Sequence, residues 1–155
     1  MERKAVSGVM LILLLMGMLT LAFNIHPVKT WAGTVYIRAD GSIDPPDAPI
    51  QRDGDIYTFT DNIYGSVIIQ KDSIVVDGEG YTVEGDGAMP YGIYLNGRFN
   101  VTLKDMKITK FFVGIRFDYT NCSVVFNIDS SNNDAGIYLQ YSSNNVLFNC
   151  TTCYN

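Results

Sequence analysis

Three glycines, Gly92, Gly114 and Gly136, recur at intervals of 22 residues, and each opens the same phrase: Gly92-Ile93-Tyr94-Leu95, Gly114-Ile115-Arg116-Phe117 and Gly136-Ile137-Tyr138-Leu139. A fixed interval carrying one apolar pattern marks a repeating structural unit that cannot bury its apolar side alone and must stack on its neighbours. The alternation has period two, which is strand period and not helix period. Ile93, Ile115 and Ile137 therefore share one side with Leu95, Phe117 and Leu139, while Tyr94, Arg116 and Tyr138 point the other way.

A second strand-like phrase follows in each unit: Val101-Thr102-Leu103, Val124-Val125-Phe126 and Val146-Leu147-Phe148. The first of these sits one residue early, which predicts one turn of different length. Between the phrases lie turn-rich stretches at 96–100, 118–123 and 140–145. With no helix-length segment in the unit, the strands are expected to pile up in parallel at about 4.8 Å per coil. The expected fold is all-β: a right-handed parallel β-helix, or solenoid, with coils of about 22 residues. The repeated glycine is expected at a corner that needs positive φ or close backbone approach.

Upstream, Val67-Ile68-Ile69 and Ile74-Val75-Val76 read as a less regular coil, so residues 67–155 are assigned to the β-helix. Residues 33–66 contain strand-like Val35-Tyr36-Ile37 and Ile56-Tyr57-Thr58-Phe59 around a loop with Pro45, Pro46 and Pro49. They are the candidate N-terminal cap, because the end of such a stack exposes apolar rungs and strand edges. The next glycine would fall at 158, so the solenoid is expected to be incomplete at its C-terminal end, with further coils beyond Asn155.

Residues 1–32 begin with Glu2, Arg3 and Lys4, run uncharged from Ala5 to Ile25, and end in small residues at Ala32 and Gly33. This is the pattern of a secretory signal cleaved near Ala32, with an uncleaved anchor as the rival reading. Either way the remainder is expected outside the cytoplasm, secreted or at the cell surface. Cleavage leaves eight basic and fifteen acidic residues, a formal charge of −7. Such a surface repels nucleic acid and anionic lipid, so neither is an expected partner. The single histidine, His26, leaves with the signal, which removes every histidine-based triad and imidazole metal site from the mature part. Cys122, Cys150 and Cys153 stand at spacings that do not favour a bridge and are expected as buried free thiols.

The sequence displays little reactive chemistry. Glycoside hydrolysis needs two carboxylates converging on one substrate. Asp118 and Asp129 lie half a coil apart and should face different ways, whereas Asp105 and Asp129 are close enough to the repeat register to approach each other on adjacent coils. Arg116 and Asp118 read as an exposed ion pair of little energetic weight. No catalytic group, no metal-ligand set and no cofactor site is evident. The outward column Tyr94, Arg116 and Tyr138 is the best candidate binding surface, because tyrosine and arginine faces stack on sugar rings. Three sequons, at Asn100, Asn121 and Asn149, are candidate glycan acceptors in an exported protein.

The run Ile74-Val-Val-Asp-Gly-Glu-Gly-Tyr-Thr-Val-Glu-Gly85 resembles the opening coil of right-handed β-helix proteins of the NosD-like group, and 92–103 and 142–149 resemble its standard repeats. The resemblance covers about residues 34–155. It implies the fold strongly and activity weakly, since the group spans copper-site assembly of a periplasmic reductase as well as carbohydrate-binding and sugar-hydrolysing modules. The sequence reading is an exported structural or carbohydrate-interacting module whose partner is a polysaccharide or cell-envelope glycan. The alternatives are a polysaccharide-active hydrolase or lyase with its catalytic coils downstream, and a NosD-like copper-accessory protein.

Overall fold

The computed structural model describes residues 31–155; His26 and nearly all of the signal segment read from the sequence lie outside them. The strands, in chain order, are β1 (Val35–Ile37), β2 (Ile43–Asp44), β3 (Ile50–Asp53), β4 (Ile56–Phe59), β5 (Ile63–Tyr64), β6 (Val67–Ile69) and β7 (Val75–Asp77). They continue with β8 (Thr82–Glu84), β9 (Tyr91–Asn96), β10 (Thr102–Thr109), β11 (Val113–Asp118), β12 (Val124–Ser130), β13 (Ala135–Gln140) and β14 (Val146–Phe148). Among the described residues there is no helix.

One sheet orders β13-β11-β9-β6-β1-β2 and the other β14-β12-β10-β7-β4-β3, with β8 joined to β10 and β5 to β8. Two pairings are antiparallel, the hairpins β1–β2 and β3–β4, and the rest are parallel. The chain therefore winds as a parallel β-solenoid of about four turns. Strands β1, β4 and β5, drawn from residues 33–66, lie parallel to β6, β7 and β8 and carry both sheets onward.

The repeat interval is the pairing register. Ile93 pairs with Ile115 and Ile115 with Ile137; Leu95, Phe117 and Leu139 follow two places on. Val67, Ile93, Ile115, Leu95 and Phe117 have essentially no exposed surface. On the opposite wall Val76, Leu103 and Val125 are equally enclosed. Each such side chain withdrawn from water contributes about 1.5–3 kcal/mol, and the gain is available only because the neighbouring coil covers it. In the last described coil Leu139 and Leu147 are 37% and 40% exposed.

Three details differ from the sequence reading. The second strands are not offset: Thr102, Val124 and Val146 pair in line, so the 22-residue interval is uniform and Val101 precedes the strand. Second, β10 and β12 bend midway, at Asp105 (φ 55°) and Asn127 (φ 53°), and so supply a third wall that strand periodicity alone did not reveal. Short polar side chains tolerate this left-handed backbone where bulkier ones do not. Third, Gly92, Gly114 and Gly136 lie inside β9, β11 and β13 rather than at corners. A Cβ on Gly92 would stand 2.6 Å from the Gly114 carbonyl oxygen, and one on Gly114 2.7 Å from that of Gly136. Close approach between coils, and not positive φ, is what each glycine permits.

Candidate binding face

The parallel register carries the outward column further than the repeat does. Tyr36 in β1 pairs with Ile68 in β6, Ile68 with Tyr94 in β9, Tyr94 with Arg116 in β11, and Arg116 with Tyr138 in β13. Tyr94, Arg116 and Tyr138 thus sit side by side on one outer face, as their alternation implies. Tyr36 and Ile68 were missed because the intervals from 36 to 68 and from 68 to 94 are 32 and 26 residues, interrupted by the hairpins and by the loop after β8. The matching inward pairs, Val35 with Val67 and Val67 with Ile93, are the signal that would have found them.

The column is a bonded network. The Arg116 guanidinium donates from Nε to Asp118 Oδ1 at 2.9 Å and from a terminal nitrogen to Gln140 Oε1 at 2.5 Å. The Tyr94 hydroxyl donates to Asp118 Oδ2 at 3.2 Å. Arg116 also lies 4.4 Å from the Tyr138 ring centre and 5.7 Å from that of Tyr91, while Tyr91 and Tyr94 stack at 4.9 Å. The expectation of an exposed ion pair is therefore corrected: the side chains of Arg116 and Asp118 are 18% and 15% exposed, because tyrosines on the two adjoining coils, Tyr91 and Tyr94 on one side and Tyr138 on the other, flank them. The bond to Asp118 raises the Arg116 pKa, and burial, helped by the Asp118 charge, raises that of Tyr94. Arg116 consequently stays charged and the Tyr94 hydroxyl stays protonated through the neutral range. Tyr138, 43% exposed, is the side chain of this column most open to a ligand.

Two hollows open on the same face upstream. One, of about 210 Å³, lies among Tyr36, Ile68, Met89, Pro90, Tyr91 and Tyr94. The second, of about 440 Å³, lies among Ile68, Gln70, Tyr94, Asn96 and Arg98. A larger hollow, about 540 Å³, sits on the far side beside the bend of β10 and β12 and is lined by Glu79, Asp105, Asn127, Asp129 and Asn149. Asp105 and Asp129 both line it, each bonded to other neighbours (Asn127 and Lys104 for Asp105, Ser131 for Asp129), while Asp118 lies on the other sheet. The Asn127 amide and, next, Lys104 hold the Asp105 carboxyl below its usual range, so this group stays ionised and accepts hydrogen bonds rather than donating a proton.

The three sequon asparagines occupy ladder positions. The Asn100 side-chain amide donates to Ser73 Oγ at 3.2 Å, Asn121 Oδ1 accepts from the Ser143 amide at 2.7 Å, and Asn149 Nδ2 donates to Asn127 Oδ1 at 3.0 Å. The cysteines are free, as expected, but not buried: Cys122 and Cys153 are exposed and Cys150 is half-covered. Cys122 adopts φ 54° with its side chain exposed, and Cys153 lies against Ser131 in the last described coil.

Fold and face together define a parallel β-solenoid with an aromatic outer sheet. The family model described as "Periplasmic copper-binding protein (NosD)" matches residues 34–155, and the chain belongs to that family. No curated protein and no solved structure matches it. Among the described residues no three of His, Cys, Asp or Glu converge into a metal-holding group. The Cys150 thiol faces the Val125 and Phe148 carbonyls, Cys153 lies against Ser131, and Met106 is buried among the core. These residues do not fit a self-contained copper centre, which takes clustered thiolate, thioether or imidazole ligands.

Proposed function

We propose that this chain is an extracytoplasmic NosD-family solenoid that acts as a binding scaffold, holding a glycan against the outer face of the sheet that runs from β1 to β13. The periplasmic description of the family and the signal-like N-terminus support the location. The observation that carries the glycan reading is the Tyr94–Arg116–Tyr138 column. Its guanidinium and carboxylate are held rigid by one another and by Gln140, so the tyrosines present fixed ring edges and hydroxyls at coil spacing. Rigid amphipathic rings with nearby planar polar groups are what sugar recognition uses, apolar C–H faces against rings and hydroxyls against amides. The site requires no metal and no reacting group.

Retention on a glycan array tests this. The full chain is expected to be retained by a defined set of polysaccharides, and both Tyr94→Ala and Tyr138→Ala are expected to lose that retention while remaining folded. Retention unaffected by either change contradicts the reading. The family's description supports a second reading, periplasmic copper binding. Equimolar copper remaining on the protein after dialysis favours that reading, and copper lost on dialysis counts against it.

A further inference from the structure

The column on the binding face has one member that is not aromatic, amidic or charged. Between Tyr36 and Tyr94 stands Ile68, in register with both. Two coil steps of about 4.8 Å place the backbones of the two tyrosines about 9.6 Å apart. A ring in contact with both at 3.5–4.0 Å needs about 7–8 Å between them. Isoleucine is too short to fill that interval, and the two hollows on this face both include Ile68 and Tyr94 in their walls. Each tyrosine is backed from its own coil: Arg38 lies 4.2 Å from the Tyr36 ring centre and Tyr91 stacks on Tyr94. The walls are thereby held in place, and the floor is apolar.

The rim selects the occupant. Gln70 and Asn96 supply neutral donors and acceptors on one side, and Ser66 and Thr34 on the other. The one cation lining the 440 Å³ hollow, Arg98, is taken up by the carbonyl oxygens of Gln70 at 2.6 Å and Asn96 at 3.0 Å and by Asp72 at 3.4 Å. Arg38, behind Tyr36, is paired with Asp44. No charge is left over to pair with an anionic or cationic ligand, and bringing an ionised group here would strip its water without return. An apolar slot between two tyrosines, edged by amides and hydroxyls, matches a saturated ring with C–H faces and equatorial hydroxyls.

We infer that the gap over Ile68 is a ring-binding slot for one sugar unit of a neutral oligosaccharide, with the neighbouring hollow at Gln70, Asn96 and Arg98 receiving the next unit. This deepens the glycan reading given above and rests on it. It also gives residues 33–66 a part in recognition, since Tyr36 forms one wall.

Calorimetric titration of the full chain with cellohexaose, chitohexaose and oligogalacturonate tests the slot. Ile68→Tyr fills the gap and continues the ring ladder, so it keeps the fold while closing the site; Tyr36→Ala removes a wall. One or both neutral hexamers are expected to bind the native chain, and each variant to weaken that binding about tenfold or more, with thermal unfolding of Ile68→Tyr within about 3 °C of the native value. Native affinity in Ile68→Tyr overturns the slot. If in that case Tyr138→Ala abolishes binding, the downstream column still stands; if only the slot variants lose binding, the slot stands and the downstream column falls. Binding of oligogalacturonate alone overturns the neutral assignment, and no binding of any of the three overturns both readings.

Discussion

At the scale of single residues, glycine and asparagine do the most specific work. Gly114 faces the Gly136 carbonyl of the next coil, and an added Cβ would also stand 2.9 Å from Asn133 Nδ2. That amide is spoken for: Asn133, 5% exposed, donates to the carbonyls of Ile108 and Ser131 and accepts from the Phe111 amide. No buried side-chain polar atom among the described residues lacks a partner, so a displaced Asn133 has no alternative bond to make. Gly114→Ala is expected to destabilise the fold by about 3 kcal/mol, measured as a fall in the denaturation midpoint. Gly54→Ala is the contrast. It meets nothing within 4 Å, and carries only the cost of φ 60° in an exposed turn. A similar loss at both sites would show that backbone conformation, and not inter-coil approach, is what the repeated glycine provides.

At the scale of elements, the bend shared by β10 and β12 shows what sequence reading reached and where it stopped. The alternation at 92–95, 114–117 and 136–139 has one partner spacing and one buried side, so strand, register and inward face were all legible. The third wall was not, because Asp105, Asn127 and Asn149 look like turn residues yet sit within or against continuous strands. Their left-handed backbones are stabilised by a ladder running across coils, from Asn149 to Asn127 to Asp105, with Lys104 completing it at 2.9 Å. Of the candidate face, Tyr94, Arg116 and Tyr138 were legible from their repeat positions. Tyr36 and Ile68 were hidden because the two antiparallel hairpins lengthen the interval from 36 to 68 and the loop after β8 lengthens that from 68 to 94.

The same ladder fixes a pH dependence. Asp105 has its pKa lowered from 3.8, by the Asn127 amide first and Lys104 second. A carboxyl depressed in the folded state contributes stability that is fully present above its unfolded value and is lost as pH falls through the folded value. The chain is therefore expected to lose thermal stability below about pH 4, and Asp105→Asn, which keeps a ladder amide, is expected to flatten that loss. An acid limb of identical steepness in the variant would show that the carboxylate is not ionically engaged.

At the scale of the whole molecule, stacking turns a one-dimensional repeat into a flat, stiff outer face on which side chains far apart in sequence become neighbours. Tyr36 and Tyr138 are separated by 102 residues yet belong to one column of five positions. Such a surface suits a long, periodic ligand, because its spacing is set by backbone hydrogen bonds and not by loops. The ten tyrosines of the chain report on this directly, since they are distributed over several faces. Tyr36, Tyr91, Tyr94 and Tyr138 lie on the proposed binding face, Tyr57 is in the core, and Tyr81 packs against the core before β8. The most direct measurement is a titration of ring-labelled tyrosine protein with the retained glycan, followed by nuclear magnetic resonance. The expected result is saturable shifts confined to Tyr36, Tyr91, Tyr94 and Tyr138. Shifts centred instead on Tyr81 or Tyr154, with those four unmoved, would contradict the assignment of the outer sheet as the binding face.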